Sequence, residues 1–252
     1  MLQGPSEKIL AIGPYGAGKS YAWLSIALWA QRTGSDAQFY VISTDDATSR
    51  ATSSQEFGQL RNLHDYPCFV WPDFKQASVE IRSVIRPQDW LIVDLLDPAW
   101  EAVQAYFIEQ VFNENIEDYF LQARKETKSG KGTMKTLDGW KDWSIINRLY
   151  KAWVNPLFLQ TKVNIYATAK VEQVSSDTDD KETRLIFGPY GVKPKGQKET
   201  GNLFHSILLF NYPKAGKYYL TTIRDRQRPV FEKLPLTNFV TQYLVKVGGW
   251  RM

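Results

Sequence analysis

The segment Gly13-Pro14-Tyr15-Gly16-Ala17-Gly18-Lys19-Ser20 constrains this chain more than any other. It has the form G-x-x-x-x-G-K-[ST], and its flanks agree with it. The apolar run Ile9-Leu10-Ala11-Ile12 leads in as a buried strand, and Tyr21-Ala22-Trp23-Leu24-Ser25-Ile26-Ala27-Leu28-Trp29-Ala30 leads out with helical patterning. A strand, a glycine-rich turn and a helix in that order make a phosphate cradle. The glycines let successive backbone N–H groups turn inward, and the helix presents its positive end to the anion. Gly13, Pro14, Tyr15, Gly16, Ala17, Gly18, Lys19, Ser20 and Tyr21 are therefore the candidate nucleotide-binding residues. Lys19 is placed to reach β- and γ-phosphates, and the Ser20 hydroxyl to ligate Mg²⁺, so ATP and Mg²⁺ are the implied cofactors. The loop opens at residue 13, which leaves little room for a domain ahead of it.

The 252 residues suffice for one large α/β domain or two small ones; with no linker in sight, residues 1–252 read as one. The single cysteine, Cys68, excludes an internal disulfide and a cysteine-based zinc site, and is expected to be a reduced structural thiol. The opening MLQGPSEK has no apolar signal core, and no apolar run approaches the ~18 residues of a membrane span. A soluble cytoplasmic protein with no membrane partner is expected. The net charge of +4 conceals an asymmetry. Residues 1–112 carry 8 basic and 13 acidic side chains, residues 113–180 carry 10 of each, and residues 181–252 carry 13 basic and 4 acidic. The basic last third reads either as a lysine-rich solvated surface or as a polyanion site.

Gln38–Thr44 reads as a strand ending at Asp45-Asp46, Phe69-Val70-Trp71 as a short strand, and 74–86 as an amphipathic helix. Asp89–Asp94 is an apolar strand with a carboxylate at its end. Helix is expected from about 98 to 125 and again over 138–160, where Trp140, Trp143, Tyr150 and Trp153 recur at core spacing. Val163–Ala169 is another buried strand, and 172–183 is polar without periodicity. The polar, basic stretches at about 124–135 and 175–200 are expected to be mobile loops. Phe204–Phe210 and Tyr218–Arg224 form a terminal hairpin around Pro213–Lys217. Strands alternating with helices imply an α/β fold: a mainly parallel sheet, helices on both faces and a C-terminal antiparallel hairpin.

A P-loop needs a carboxylate at the end of a neighbouring strand to hold Mg²⁺. Asp94 closes Trp90-Leu91-Ile92-Val93 and is the first candidate; Asp97 is the fallback. Hydrolysis also needs a group to orient and deprotonate the attacking water. Asp45 and Asp46 end the second strand and are both candidates, as an ordinary turn also is. Thr168 and Lys170 close the strand from 163 and are placed to sense a γ-phosphate.

This order of elements resembles the RecA-like P-loop NTPase core. LIVDLLDPAW resembles its Walker B strand, and FYVISTDDA the strand that carries the catalytic carboxylate, here at Asp45. Closer still is a group of phage-encoded minimal RecA-like ATPases of single-strand annealing and recombination. This chain is similar to them at KGQKETGNLFHSILLF and YYLTTIRDRQRP, within a resemblance spanning about residues 8–232. The resemblance implies a homo-oligomer, ring or filament, with the nucleotide at the subunit interface. It implies that Arg224 and Arg226, with Arg228 just beyond, reach the neighbour's γ-phosphate. It also implies that two basic loops face single-stranded DNA. One holds Arg124, Lys125, Lys128, Lys131 and Lys135; the other holds Lys193, Lys195 and Lys198, with Tyr190 to stack on a base. Such binding is expected to be sequence-independent, and a single-strand-binding protein is a further implied partner.

Two other classes fit the P-loop. One is a DNA-translocating motor such as a viral packaging ATPase, recognisable by its use of duplex. The other is a small-molecule kinase or nucleotide-gated switch, which would show an arginine-rich lid and no assembly on single strands. The nine tryptophans receive no functional assignment from the sequence.

Overall fold

The computed structural model describes residues 4, 6–45, 47–129 and 141–251. In chain order its elements begin with β1 (Lys8–Ile12), α1 (Lys19–Arg32), β2 (Phe39–Ser43), α2 (Ala47–Thr52), β3 (Leu63–Pro67) and α3 (Trp71–Val84). Then come β4 (Trp90–Asp94), α4 (Asp97–Phe112), α5 (Ile116–Ser129), α6 (Lys141–Phe158), β5 (Asn164–Ala169) and β6 (Val171–Gln173). The last third holds α7 (Lys181–Phe187), β7 (Val192–Pro194), β8 (Ser206–Lys214), β9 (Lys217–Asp225), β10 (Leu234–Pro235) and a π-helical turn over Val240–Val245.

Eight strands form one sheet in the order β10-β9-β8-β1-β5-β4-β2-β3. From β8 to β3 all pairings are parallel, and β8, β9 and β10 are joined antiparallel. β1, β2, β4 and β5 are apolar because both faces are covered. Alternate residues supply separate cores. Leu10, Ile42, Val93 and Ile165 pack with α3, α4 and α6 on one face; Ile9, Val41, Ile92 and Tyr166 pack with α1 and the C-terminal π-helical turn on the other. The expected α/β architecture, helices on both faces and terminal hairpin included, is the one observed.

Three local expectations are corrected. Phe69-Val70-Trp71 is not a strand. Trp71 opens α3, where Pro72 fits the first turn and Asp73 Oδ2 accepts the amides of Phe69 and Val70, both at 3.0 Å. The true neighbour strand is β3, whose polar LHDYP carries little strand signal because it lies at the sheet edge. The helix expected over 98–125 is two, broken where Asn113 takes a left-handed conformation (φ 54°) after α4. The stretch 175–200 is not simply a loop: it contains α7, β7 and 3₁₀ turns, and β7 pairs with β6. Asp180 caps α7 by accepting the Thr183 amide at 2.8 Å. In the stretch 124–135, α5 continues to Ser129; Lys131 and Lys135, like Asp46 and Trp140, lie outside the described residues, as does the side chain of Lys128.

Candidate functional site

The carboxyl ends of β1, β2, β4 and β5 lie side by side, with Ser43 level with Asp94 and Ala11 level with Thr168. In such sheets ligands bind beyond this edge. Here the edge opens into a cleft of about 690 Å³ lined by residues 15–22 together with Asp45, Asp94, Leu95, Lys170 and part of the C-terminal third.

The glycine-rich loop is geometrically committed. Gly13 has φ 151°, and a Cβ there would stand 2.3 Å from the Phe210 carbonyl oxygen. Gly18 caps α1 in a left-handed conformation with φ 91°. Lys19 is buried, and its Nζ donates to the carbonyls of Gly13 (2.7 Å) and Pro14 (2.9 Å), folded back over the loop. Desolvation lowers its pKa below that of a free lysine, and Lys170 adds to this; Asp94, Asp97 and Asp45 pull the other way. The Tyr166 hydroxyl donates to the Lys19 carbonyl at 3.0 Å and ties the first turn of α1 to β5. Ser20 lines the cleft, and the exposed Tyr21 donates to Glu56 at 2.9 Å.

Asp94 is 2% exposed. Its Oδ2 accepts the indole N–H of Trp23 at 2.9 Å, and its Oδ1 accepts the hydroxyl of Thr168. Asp97 stands at the start of α4, is 1% exposed and does not line the cleft. Its Oδ1 accepts the Lys170 amide at 3.1 Å, and its Oδ2 lies 3.6 Å from Lys170 Nζ. The Lys170 ammonium also sits 5.7 Å from the centroid of the Tyr15 ring. Asp45 is exposed at the cleft. The next-door Thr44 accepts the Leu95 amide through its hydroxyl at 2.8 Å, which ties the end of β2 to the end of β4.

This set fits a magnesium nucleotide. Positive-φ glycines form the cradle, a buried lysine is held by neutral carbonyls, and a serine hydroxyl and a buried carboxylate face one cleft.

One wall escaped the sequence reading. The β8–β9 hairpin brings Tyr212 and Tyr218 beside the loop, their rings 6.2 Å apart, and Leu236, Thr237 and Phe239 complete the side. Nothing local in the sequence signals this, since the hairpin lies about 200 residues from the loop. Trp23 was missed too, although its place one helical turn after Lys19 was a usable signal.

Arg224 and Arg226 are not brought to this cleft. Asp225 is level with Ser206, and Ser206 with Ile9, so both arginines lie toward the opposite end of the sheet from Lys19. Arg224 donates to Asn202 Oδ1 at 3.1 Å and Arg226 to the Asn202 carbonyl at 2.8 Å. Arg228 pairs with the buried Glu7, which also accepts Trp250 Nε1 at 3.0 Å. Lys193 pairs with Asp179 and, at 3.2 Å, with Glu172; Lys195 pairs with Glu101 at 2.6 Å. Tyr190 is half-buried, its hydroxyl 3.5 Å from the Thr222 carbonyl. Lys198 is exposed.

A family model described as AAA domain matches residues 6–209. The chain belongs to the AAA-domain family. Two solved structures are similar to it at low identity. The RadB recombinase is 14% identical, with a TM-score of 0.49 over 92% of this chain and 86% of that one. The second, an ATPase domain, is 12% identical, with a TM-score of 0.44 over 91% of this chain and 80% of that one. No curated protein sequence matches. The matched AAA domain holds the loop, Asp45, Asp94 and Lys170, whereas Arg224 and Arg226 lie beyond it. Among the described residues no helix is long and apolar enough to cross a membrane.

Proposed function

We propose that this AAA-domain protein is a RecA-like, Mg²⁺-dependent ATPase that works on single-stranded DNA in recombination or annealing of the phage type. The observation that carries the reading is the convergence of Lys19, Ser20, Asp94 and Lys170 on one cleft at the carboxyl edge of a parallel sheet. Lys19 exchanges the Gly13 and Pro14 carbonyls for β- and γ-phosphate oxygens. Ser20 and Asp94 hold Mg²⁺, which when bound neutralises phosphate charge. Lys170 turns from Asp97 to the γ-phosphate, and Asp45 orients the attacking water as general base.

Arg224 and Arg226 complete the site of a neighbouring subunit in a homo-oligomer, ring or filament. Their distance from Lys19 within the chain supports a role in trans over one in cis. The charge excess of residues 181–252 supports sequence-independent binding to a nucleic-acid backbone. Lys198 and Lys195 are exposed on that surface, but Lys195, like Lys193, is engaged in an ion pair. Lys128, Lys131, Lys135 and Tyr190 are DNA-binding residues in this reading too, and a single-strand-binding protein is a natural companion on the same substrate. The test is ATP turnover with and without single-stranded and duplex DNA, beside electron microscopy of the same mixtures. Stimulation and assembly on single strands support the reading; stimulation by duplex alone favours a translocating motor.

A further inference from the structure

We propose that Trp23 is a positioning residue for Asp94: its indole N–H fixes the carboxylate that holds Mg²⁺. The inference rests on the Mg²⁺–ATP reading of the cleft. Trp23 stands four residues after Lys19, so α1 carries the phosphate-binding ammonium and this indole on one side. The indole is fully buried and donates to Asp94 Oδ2 at 2.9 Å, while Thr168 donates to Oδ1. A carboxylate this deep loses hydration, and the two hydrogen bonds hold its oxygens in place of water. Among the described residues Asp94 has no ion pair within 4 Å, whereas Asp97 and Asp179 each stand against a lysine. Each oxygen retains a lone-pair direction for a cation or its water.

Burial alone does not demand this contact. The indole N–H of Trp71 is equally buried and has no acceptor, and that of Trp153 uses the Phe74 carbonyl at 3.0 Å. At Trp23 the acceptor is instead Asp94, the buried carboxylate of the cleft that Ser20 also lines. Partners of this kind behind a metal ligand typically contribute about 10–100-fold to metal affinity or activity.

The test is Trp23→Phe, which keeps an aromatic ring and removes the donor. Calorimetry reads binding of ADP and of a non-hydrolysable ATP analogue over a Mg²⁺ series. The concentration of Mg²⁺ needed to tighten nucleotide binding should rise about 10–100-fold, with Mg²⁺-free binding unchanged. In an Asp94→Asn background the same change should add nothing, because the effect passes through that carboxylate. An unchanged Mg²⁺ response in folded Trp23→Phe, or an equal shift in the Asp94→Asn background, overturns the proposal. If Trp23→Phe does not fold, the Trp23 indole N–H resonance of the wild-type protein decides. It should move when Mg²⁺ is added to the ADP complex, and a resonance that stays put overturns the proposal. A wild-type protein whose nucleotide binding ignores Mg²⁺ defeats the underlying reading and this inference with it.

Discussion

The ammonium of Lys170 stands 3.6 Å from the carboxylate of Asp97, while Asp94, three residues earlier, is held by Trp23 and Thr168 instead. Two buried carboxylates, one ending β4 and one opening α4, are thus separated in task. Asp97 receives a cation from its own chain; Asp94 receives only neutral donors and faces the cleft. Asp94→Asn should therefore retain nucleotide binding but lose Mg²⁺-dependent hydrolysis. Asp97→Asn should act on Lys170, changing turnover less than it changes thermal stability. A Mg²⁺ titration of turnover in both variants checks this, and a larger loss of hydrolysis in Asp97→Asn would reverse the assignment.

Lys19→Ala should leave the fold intact, because its two hydrogen bonds go to carbonyls of a loop already shaped by glycine. Losing a charged donor to phosphate costs about 1.5–3 kcal/mol, or roughly 10- to 150-fold in affinity. Circular dichroism and titration with a fluorescent ATP analogue measure the two effects separately.

Nucleotide affinity should also fall at alkaline pH. Burial places the Lys19 pKa below that of an unfolded lysine. Between the folded and unfolded values the unfolded chain binds more protons, so this group makes the empty protein more stable as pH rises through that window. Phosphate binding prefers the charged form, so affinity should weaken over the same window and binding should take up a proton. Calorimetry in buffers of different ionisation enthalpy reads that proton. Lys19→Arg, which stays protonated, should abolish the uptake if Lys19 is its source.

The basic stretch after β6 should divide in two. Lys193→Ala removes the partner of Asp179 and should lower the melting temperature with little direct effect on DNA. Lys198→Ala should leave stability alone. It should reduce the magnitude of the slope of log K against log salt on single-stranded DNA by about 0.7 for each phosphate that Lys198 neutralises. An unaltered slope in Lys198→Ala would make that residue part of a solvated surface.

The trans role of the arginines is open to complementation. Arg226→Ala and Lys19→Ala should each be inactive alone, yet mixed subunits should recover part of the hydrolysis, since an arginine acting on a neighbour's phosphate is worth roughly 10³–10⁵ in rate. Co-assembly without recovery at any ratio would remove Arg226 from the site.

What was legible in the sequence is what is written contiguously. The phosphate loop, the apolar strands and the carboxylate ending β4 each lie within a few residues. The β3 edge was misread because one of its faces is polar, and because the apolar trio Phe69-Val70-Trp71 resembles a strand until Pro72 and Asp73 are weighed as a helix start. Residues 175–200 read as loop by composition; their helix and strand come with pairings that a local pattern does not carry, Lys195 to Glu101 and Lys193 to Asp179. Trp23 and Asp94 are 71 residues apart, and the hairpin wall is further still from the loop it flanks. Proximity over that span is set by sheet order, which a local pattern does not carry.

We propose that the cleft around Lys19 and Asp94 hydrolyses ATP with Mg²⁺ on behalf of single-stranded DNA. Its most direct test is steady-state ATP turnover by the wild-type protein, with Mg²⁺ present or chelated and single-stranded DNA present or absent. Turnover should need Mg²⁺, rise with single-stranded DNA and disappear in Lys19→Ala. Turnover that persists in Lys19→Ala, or ATP that is neither bound nor hydrolysed under any of these conditions, would contradict it.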